Sequence, residues 1–337
     1  MAHMKSLQRA SISASSSAVT YRAGVQSFKR FISGTATLLR VASPPSDTPS
    51  ELRDLLQPII FGAFIASLSK AGTSGKTISV YLSGLVHFAT DIEGEPLAFS
   101  SGVKMVLKGA LRQGPAPKPL RPEISMALLE NIVRVTPLGF PASQSEAGLW
   151  RALFTHAFFG CLRVSEYLTS SKDRDKGLLT EDVSLVDSQQ LIIFLKKTKT
   201  NQHGPAEAVI LRRRGDTVCP VAAMQVFLGL RLVAEGSLDP RSCLFRSQQG
   251  VITPLLLNST LRRILSVLGT TDPHQFSSHS FRIGSATEAA TRGAAIPDIM
   301  AMGRWRSSAV MDYLRTRATL ASAARARTTL SAPLTSG

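Results

Sequence analysis

Arg112-Gln113-Gly114-Pro115-Ala116-Pro117-Lys118-Pro119-Leu120-Arg121-Pro122 divides the chain. Four prolines fall within eight residues of this stretch. They remove backbone donors and fix φ, which forbids helix and favours an extended, semi-rigid, basic connection. Residues 114–122 are therefore expected to link two domains, and a chain of 337 residues is long enough for two separate cores.

Before the linker the pattern is helical throughout. Residues 1–18 are serine-rich and expected to stay unfolded. From residue 19, Val19, Ala23, Val25, Phe28, Phe31 and Ile32 recur at helical spacing. After the breaker Ser43-Pro44-Pro45-Ser46-Asp47-Thr48-Pro49, Ser50 caps a second helix carrying Leu52, Leu55, Leu56, Ile59, Ile60, Phe64 and Leu68, with a kink or break expected at Pro58. Thr73 or Ser74 caps a third, and a fourth covers Val103 to Leu111. Gly72-Thr73-Ser74-Gly75-Lys76-Thr77 imitates a phosphate loop, but the first glycine of that motif would be position 70, which is Lys70. Residues 19–113 thus read as a small all-helical domain.

After the linker the periods change. Helices are expected at Ile124–Val135 and Glu146–Cys161, then β-like runs at Asp182–Val186, Leu191–Lys197 and Ala206–Leu211. Helices resume at Pro220–Val233, Asn258–Leu268, Phe281–Thr291, Ile296–Met302 and Ser307–Arg317. The fold class is mainly α with a small antiparallel β-sheet, in residues 123–320, followed by a tail at 321–337.

Lys plus Arg outnumber Asp plus Glu by 39 to 23, a net charge of +16. Such a surplus suits a polyanion, because neutralising phosphates releases counterions; a merely soluble basic protein is the plainer alternative. Cys161, Cys219 and Cys243 are odd in number and lack a C-x-x-C pair, so buried thiols in a reducing compartment are expected, with no metal site and no cofactor. The apolar runs Leu55–Leu68 and Leu149–Leu162 are too short and too interrupted to cross a membrane. No apolar stretch follows Lys5 and Arg9 in the manner of a signal peptide, so an intracellular location is expected.

Three strings carry the candidate chemistry. They are Gly160-Cys161-Leu162-Arg163-Val164-Ser165-Glu166, then His279-Ser280-Phe281-Arg282-Ile283-Gly284, then Gly303-Arg304-Trp305 followed by Asp312-Tyr313-Leu314-Arg315. Singly each has an ordinary explanation: a solvated helix-end arginine, a surface pair at i and i+3, a packed tyrosine. Together, and in this order, they resemble the tyrosine recombinase and phage integrase family. Its pattern is Arg in a Gly-Leu-Arg-x-Ser-Glu-like string, a hairpin Lys, His-x-x-Arg, His or Trp, and finally Tyr. The resemblance runs from about Glu123 to Arg317. Cys219-Pro220-Val221-Ala222-Ala223, Leu244-Phe245-Arg246, the His279–Gly284 string and Gly303-Arg304-Trp305 look most like the recombinases of DIRS-type and Ngaro-type retrotransposons, with Crypton-like or bacterial relatives as alternatives.

The resemblance implies a two-domain clamp on double-stranded DNA, a helical core-binding (SAM-like) domain plus a catalytic domain, acting as a tetramer without metal or ATP. It implies Tyr313 as nucleophile, Arg163 and Arg282 as forks on the phosphate, and His279 as donor to that phosphate and proton acceptor. Lys199 becomes the acid for the leaving 5′-oxygen, with Lys196 and Lys197 as competitors. Trp305 is favoured by chemistry for the position before the tyrosine, whereas the common spacing lands on Arg304. Glu166 is an accessory acid that orients its neighbours, or simply the i+3 partner of Arg163. Lys76, Lys118, Arg121, Lys196, Lys197, Arg212, Arg213 and Arg214 are candidates for contacts to the DNA backbone. If the source is a eukaryotic mobile element, the nucleus is the expected location. A type IB topoisomerase and a catalytically inactive DNA-binding protein are the competing readings.

Overall fold

Ser15–Gly34 (α1), Ser50–Lys70 (α2), Gly75–Glu93 (α3) and Ser101–Arg112 (α4) form the first of two compact units, Met1–Pro119 and Leu120–Gly337. The computed structural model describes residues 15–35, 50–93, 97–113, 121–136, 144–169, 177–198, 201, 204–307, 310, 311 and 314, with backbone alone at 15–17, 50–57 and 90–93. The core of the first unit is built from Phe64, Ile65, Ile78, Leu82, Leu85 and Val103, all buried. The ring of Phe28 on α1 lies 5.2 Å from Phe61 and 5.1 Å from Phe64. Two glycines set the α1–α3 crossing. A Cβ on Gly24 would stand 2.7 Å from the Tyr81 Cα, and one on Gly84 2.8 Å from the Tyr21 Cα, so the two backbones touch.

Two expectations shift here. α1 begins at Ser15, earlier than the apolar spacing indicates, and α2 runs unbroken through Pro58. A proline removes one helical hydrogen bond and clashes with the preceding turn. The burial of Phe61, Phe64 and Ile65 beyond it offsets that local cost.

The second unit is centred on Gln144–Phe159 (α6), buried on nearly every face from Gly148 to Phe158. Met126–Val135 (α5), Pro220–Glu235 (α8) and Ser278–Thr291 (α10) pack around it, with Phe281 of α10 stacked on Phe154 at 5.5 Å. Strands Val183–Leu185 (β1), Gln190–Leu195 (β2) and Glu207–Arg212 (β3) form an antiparallel sheet in the order β1-β2-β3. Its register pairs Val183 with Ile193 and Leu191 with Leu211, which turns Leu191, Ile193, Leu195 and Leu211 into the core.

Three further details were not anticipated. Val164–Tyr167 (α7) is a separate one-turn helix and not a continuation of α6, although its Tyr167 is buried in the core as its apolar surroundings indicate. Arg246–Ser247 (β4) and Gly250–Val251 (β5) make a second small hairpin, turned through Gln248 and Gln249 into Gly250, whose φ is 126°. Pro254–Val267 (α9) starts ahead of Asn258 because the Thr253 hydroxyl accepts from the Leu256 N–H at 3.2 Å and Pro254 suits a first helical position. Ile296–Gly303 (α11) follows α10. The helix expected at Ser307–Arg317 falls largely outside the described residues, and the tail at 321–337 falls wholly outside them.

Candidate active site

α6 ends at Phe159, and the chain reverses through Gly160 and Cys161, the latter with φ 45°. That left-handed turn, uncommon for a residue with a side chain, sends Arg163 to the N-cap of α7. The Arg163 main-chain N–H donates to Glu166 Oε2 at 2.8 Å, and its Nη1 donates to Glu166 Oε1 at 2.8 Å. Its Nη2 donates to the Arg304 carbonyl at 3.2 Å. The string Arg163-Val164-Ser165-Glu166 is therefore a closed helix start in which the acid answers the arginine.

Arg282 arrives from the first turns of α10. This helix is held against the segment ahead of α5: Ile124 N–H donates to the Ser280 carbonyl at 3.0 Å, and a Cβ on Gly284 would overlap the Ile124 carbonyl oxygen. Arg282 is fully buried. Its Nη1 donates to the Cys161 carbonyl and its Nη2 to the Gly303 carbonyl, while its Cζ lies 4.1 Å from the Trp305 ring centroid. Burial is the largest influence on Arg282 and draws its pKa below the usual arginine value. The Arg163 and Arg304 charges act in the same direction, and Glu166 opposes them. His279 sits one turn earlier on the same helix and is half-buried.

The end of α11 completes the cluster. Gly303 has no room for a side chain, since a Cβ there would overlap the Trp305 ring. Arg304 adopts a left-handed conformation, φ 56° and ψ 43°, as the helix cap. Its Nη2 donates to Glu166 Oε2 at 2.7 Å and to the Cys161 carbonyl at 3.0 Å, and its Nη1 donates to the Met302 carbonyl at 3.0 Å. Trp305 is buried with Cys161, Ala286, Ala290, Ile299 and Val310.

Arg163, Glu166, Arg282, Arg304 and Trp305 thus meet at one place, with His279 on the helix that carries Arg282. Three guanidiniums against one carboxylate leave an excess of two positive charges in a poorly hydrated setting. Only Arg163 keeps appreciable exposure, 17% of its side chain, against 9% for Arg304 and 1% for Glu166. Such an arrangement fits an anion, and a planar guanidinium matches a phosphate in particular. One participant escaped the sequence reading. The Cys161 carbonyl accepts from both Arg282 and Arg304, and nothing in the string around Cys161 announces its left-handed turn.

Tyr313, Lys199 and Lys118 lie outside the described residues. Around Tyr313, Val310 is buried in the small cluster that seats Trp305 and Cys161, and Leu314 packs on that cluster. Around Lys199, Thr198 N–H donates to the Asn201 carbonyl at 2.8 Å and Asn201 N–H to the Thr198 carbonyl at 3.3 Å. The Lys196 ammonium is held by Glu181 Oε1 at 2.7 Å and Asp182 Oδ1 at 2.8 Å, which raises its pKa, whereas Lys197 is exposed.

Among the backbone-contact candidates, Lys76 and Arg212 are exposed. Arg121 is exposed and donates to the Ser277 hydroxyl at 3.4 Å, at the N-cap of α10. Arg213 donates to the Ser188 carbonyl at 2.7 Å and to Gln225 at 3.0 Å. Arg214 pairs with Asp216 and lies 4.8 Å from the Phe159 ring centroid. Arg213 thereby ties the β1–β2 turn to α8, and Arg214 braces the segment between β3 and α8. Among the described residues, no group of three or more His, Cys, Asp or Glu could hold a metal ion, and no helix is long and apolar enough to cross a membrane.

No protein-family model matches the sequence, and no curated protein does. Solved structures do match. The XerH site-specific recombinase in a pre-cleavage complex with its difH substrate is 17% identical with a TM-score of 0.59, over 90% of this chain and 78% of that one. The Tn1549 transposon integrase in complex with transposon right end DNA is 16% identical with a TM-score of 0.55, over 92% and 99%. A lambda integrase dimer bound to a COC′ core site is 13% identical with a TM-score of 0.54, over 94% and 76%. The chain has the mainly helical, small-sheet fold of the tyrosine recombinases and integrases.

Proposed function

We propose that the protein is a DNA strand-transfer enzyme of the tyrosine recombinase type, a site-specific recombinase or integrase of a mobile element. The observation that carries this reading is the buried guanidinium cluster with its two uncompensated positive charges, assembled from three distant segments on a recombinase fold. A scissile phosphodiester is the anion that such a cluster suits. Its non-bridging oxygens gain charge in the pentacoordinate state, and preorganised donors there lower the barrier.

In this reading the Tyr313 oxygen attacks phosphorus and its proton passes to His279. The bond from phosphorus to the 5′-oxygen breaks, and that oxygen takes a proton from Lys199. The product is a 3′-phosphotyrosine that conserves the energy of the broken bond, so no ATP is consumed. A 5′-hydroxyl from a partner strand then reverses the steps. Arg163 and Arg282 hold the phosphate, and Trp305 supports Arg282 from its far face. Residues 19–113 bind the same duplex, and four protomers assemble on two sites. An element of DIRS or Ngaro type fits the quoted strings, and a eukaryotic element of that kind would place the protein in the nucleus.

A second reading, a protein that holds DNA without cutting it, is favoured by one observation. Both terminal nitrogens of Arg282 are bonded to main-chain carbonyls and the side chain is fully buried. Incubation with DNA nicked near the candidate site, followed by denaturation in detergent, separates the two. A covalent adduct that disappears in Tyr313→Phe supports the enzyme. An adduct unchanged by that substitution removes Tyr313 as nucleophile, and binding without any adduct favours the second reading.

A further inference from the structure

Arg304 stands where the common family spacing places a phosphate-directed side chain, and its geometry here is turned inward. Nη2 is spent on Glu166 and the Cys161 carbonyl, Nη1 on the Met302 carbonyl, and Nε is buried. The side chain is 9% exposed, which leaves little of it for an anion arriving from solvent. Its contacts instead converge on a neighbour.

Arg163 is touched by Arg304 from two directions. Through the side chain, Arg304 holds Glu166 Oε2, the atom that also accepts the Arg163 main-chain N–H, while Glu166 Oε1 accepts Arg163 Nη1 at 2.8 Å. Through the main chain, the Arg304 carbonyl accepts Arg163 Nη2 at 3.2 Å. The left-handed conformation of Arg304 aims that carbonyl, and few residues other than glycine and asparagine adopt it readily. A carboxylate 1% exposed needs full compensation, and Arg304 supplies a second cation that holds Glu166 in place.

We propose that Arg304 is a positioning residue that orients Arg163 toward the scissile phosphate by clamping Glu166 on one side and the Arg163 guanidinium on the other. The proposal rests on the strand-transfer reading above. It makes this chain different in kind from one that places a phosphate donor here, because the residue acts on an arginine and not on the DNA.

The test uses the full chain, nicked DNA and single-turnover adduct formation at saturating DNA, with the dissociation constant measured separately. Arg304→Gly keeps the left-handed cap and the carbonyl while deleting the guanidinium. Arg304→Lys keeps a charge that reaches Glu166 but cannot also hold the two carbonyls. Glu166→Gln keeps the shape and removes the charge. Misplacing a catalytic group by about 1 Å costs roughly a hundredfold in rate. The expected result is therefore an adduct-formation rate lowered about a hundredfold in Arg304→Gly, with DNA affinity close to wild type and a thermal midpoint lowered by the loss of the buried pair but still above the assay temperature. Arg304→Lys should recover part of the loss, and the Arg304→Gly/Glu166→Gln double variant should be no slower than the worse single. If Arg304→Gly does not fold, Arg304→Lys and Glu166→Gln carry the same comparison. A loss in affinity with the rate intact would make Arg304 a DNA anchor and overturn the proposal, as would strictly additive losses or an unchanged rate in Arg304→Gly. If the wild-type chain itself forms no adduct, the strand-transfer reading fails first, and the proposal falls with it.

Discussion

His156 lies fully buried in the last turn of α6, its Nδ1 at the Ala152 carbonyl and its ring 6.2 Å from Phe245. Burial disfavours the imidazolium and lowers the pKa from 6.5 to about 4. In the unfolded chain His156 takes up its proton near pH 6.5, and in the folded chain only near pH 4. Its contribution to stability is therefore whole above pH 6.5, declines as pH falls through that window, and is gone below about 4, a total on the order of 3 kcal/mol. Denaturant titrations from pH 7.5 to 4 should show a shallower decline in His156→Leu than in wild type, and identical slopes would remove His156 as the cause. At this same scale, the pairing of Arg163 with Glu166 was legible from their i and i+3 spacing, as was the placing of His279 one turn ahead of Arg282 on one helix. The choice of Glu166 by Arg304 was not. The two are 138 positions apart and meet only through a left-handed cap that no local string encodes.

Gly24 and Gly84 show where packing between elements overrides local preference. Replacing a mid-helix glycine by alanine should favour the helix by about 1 kcal/mol. Here the added Cβ would stand 2.7 Å from the Tyr81 Cα in one case and 2.8 Å from the Tyr21 Cα in the other, against backbone that cannot turn aside. Overpacking of this kind costs about 1–3 kcal/mol, so the net sign is expected to be destabilising. Gly24→Ala and Gly84→Ala should each speed hydrogen exchange in α1 and α3 while leaving α6 and α10 as they were. Slower exchange would mean that propensity wins. The same competition explains what could be read of the elements. The three-stranded sheet and the long helices follow from period and from turn residues. The continuity of α2 through Pro58 does not, because the compensating burial of Phe64 and Ile65 is tertiary. The β4–β5 hairpin also escaped. Each strand has two residues, too few for alternation to register, and the turn is Gln248-Gln249, with only the neighbouring Gly250 as a signal.

Over the whole molecule, the proposed strand-transfer reading gives a charge of +16 and a small guanidinium cluster two separable roles on DNA. The general surplus acts on every phosphate it neutralises, and each such contact releases counterions at a cost that rises with salt. In that reading the cluster acts on one phosphate, in a setting where Arg282 and Glu166 are almost wholly out of water and mobile ions screen poorly. Binding and chemistry should therefore respond differently to ionic strength. For a footprint of about six to ten neutralised phosphates, affinity for duplex DNA should fall by roughly 10³ to 10⁵ between 50 and 200 mM salt. The adduct-formation rate of complexes already saturated with DNA should change far less over the same range. Titrations of labelled duplex at several salt concentrations, paired with single-turnover assays at saturation, measure both slopes on one preparation. Affinity insensitive to salt would take the basic surface out of DNA binding. A chemical rate falling as steeply as the affinity would mean that the phosphate at the cluster is solvated like any other, and the buried arrangement of Arg163, Arg282 and Arg304 would lose its catalytic meaning.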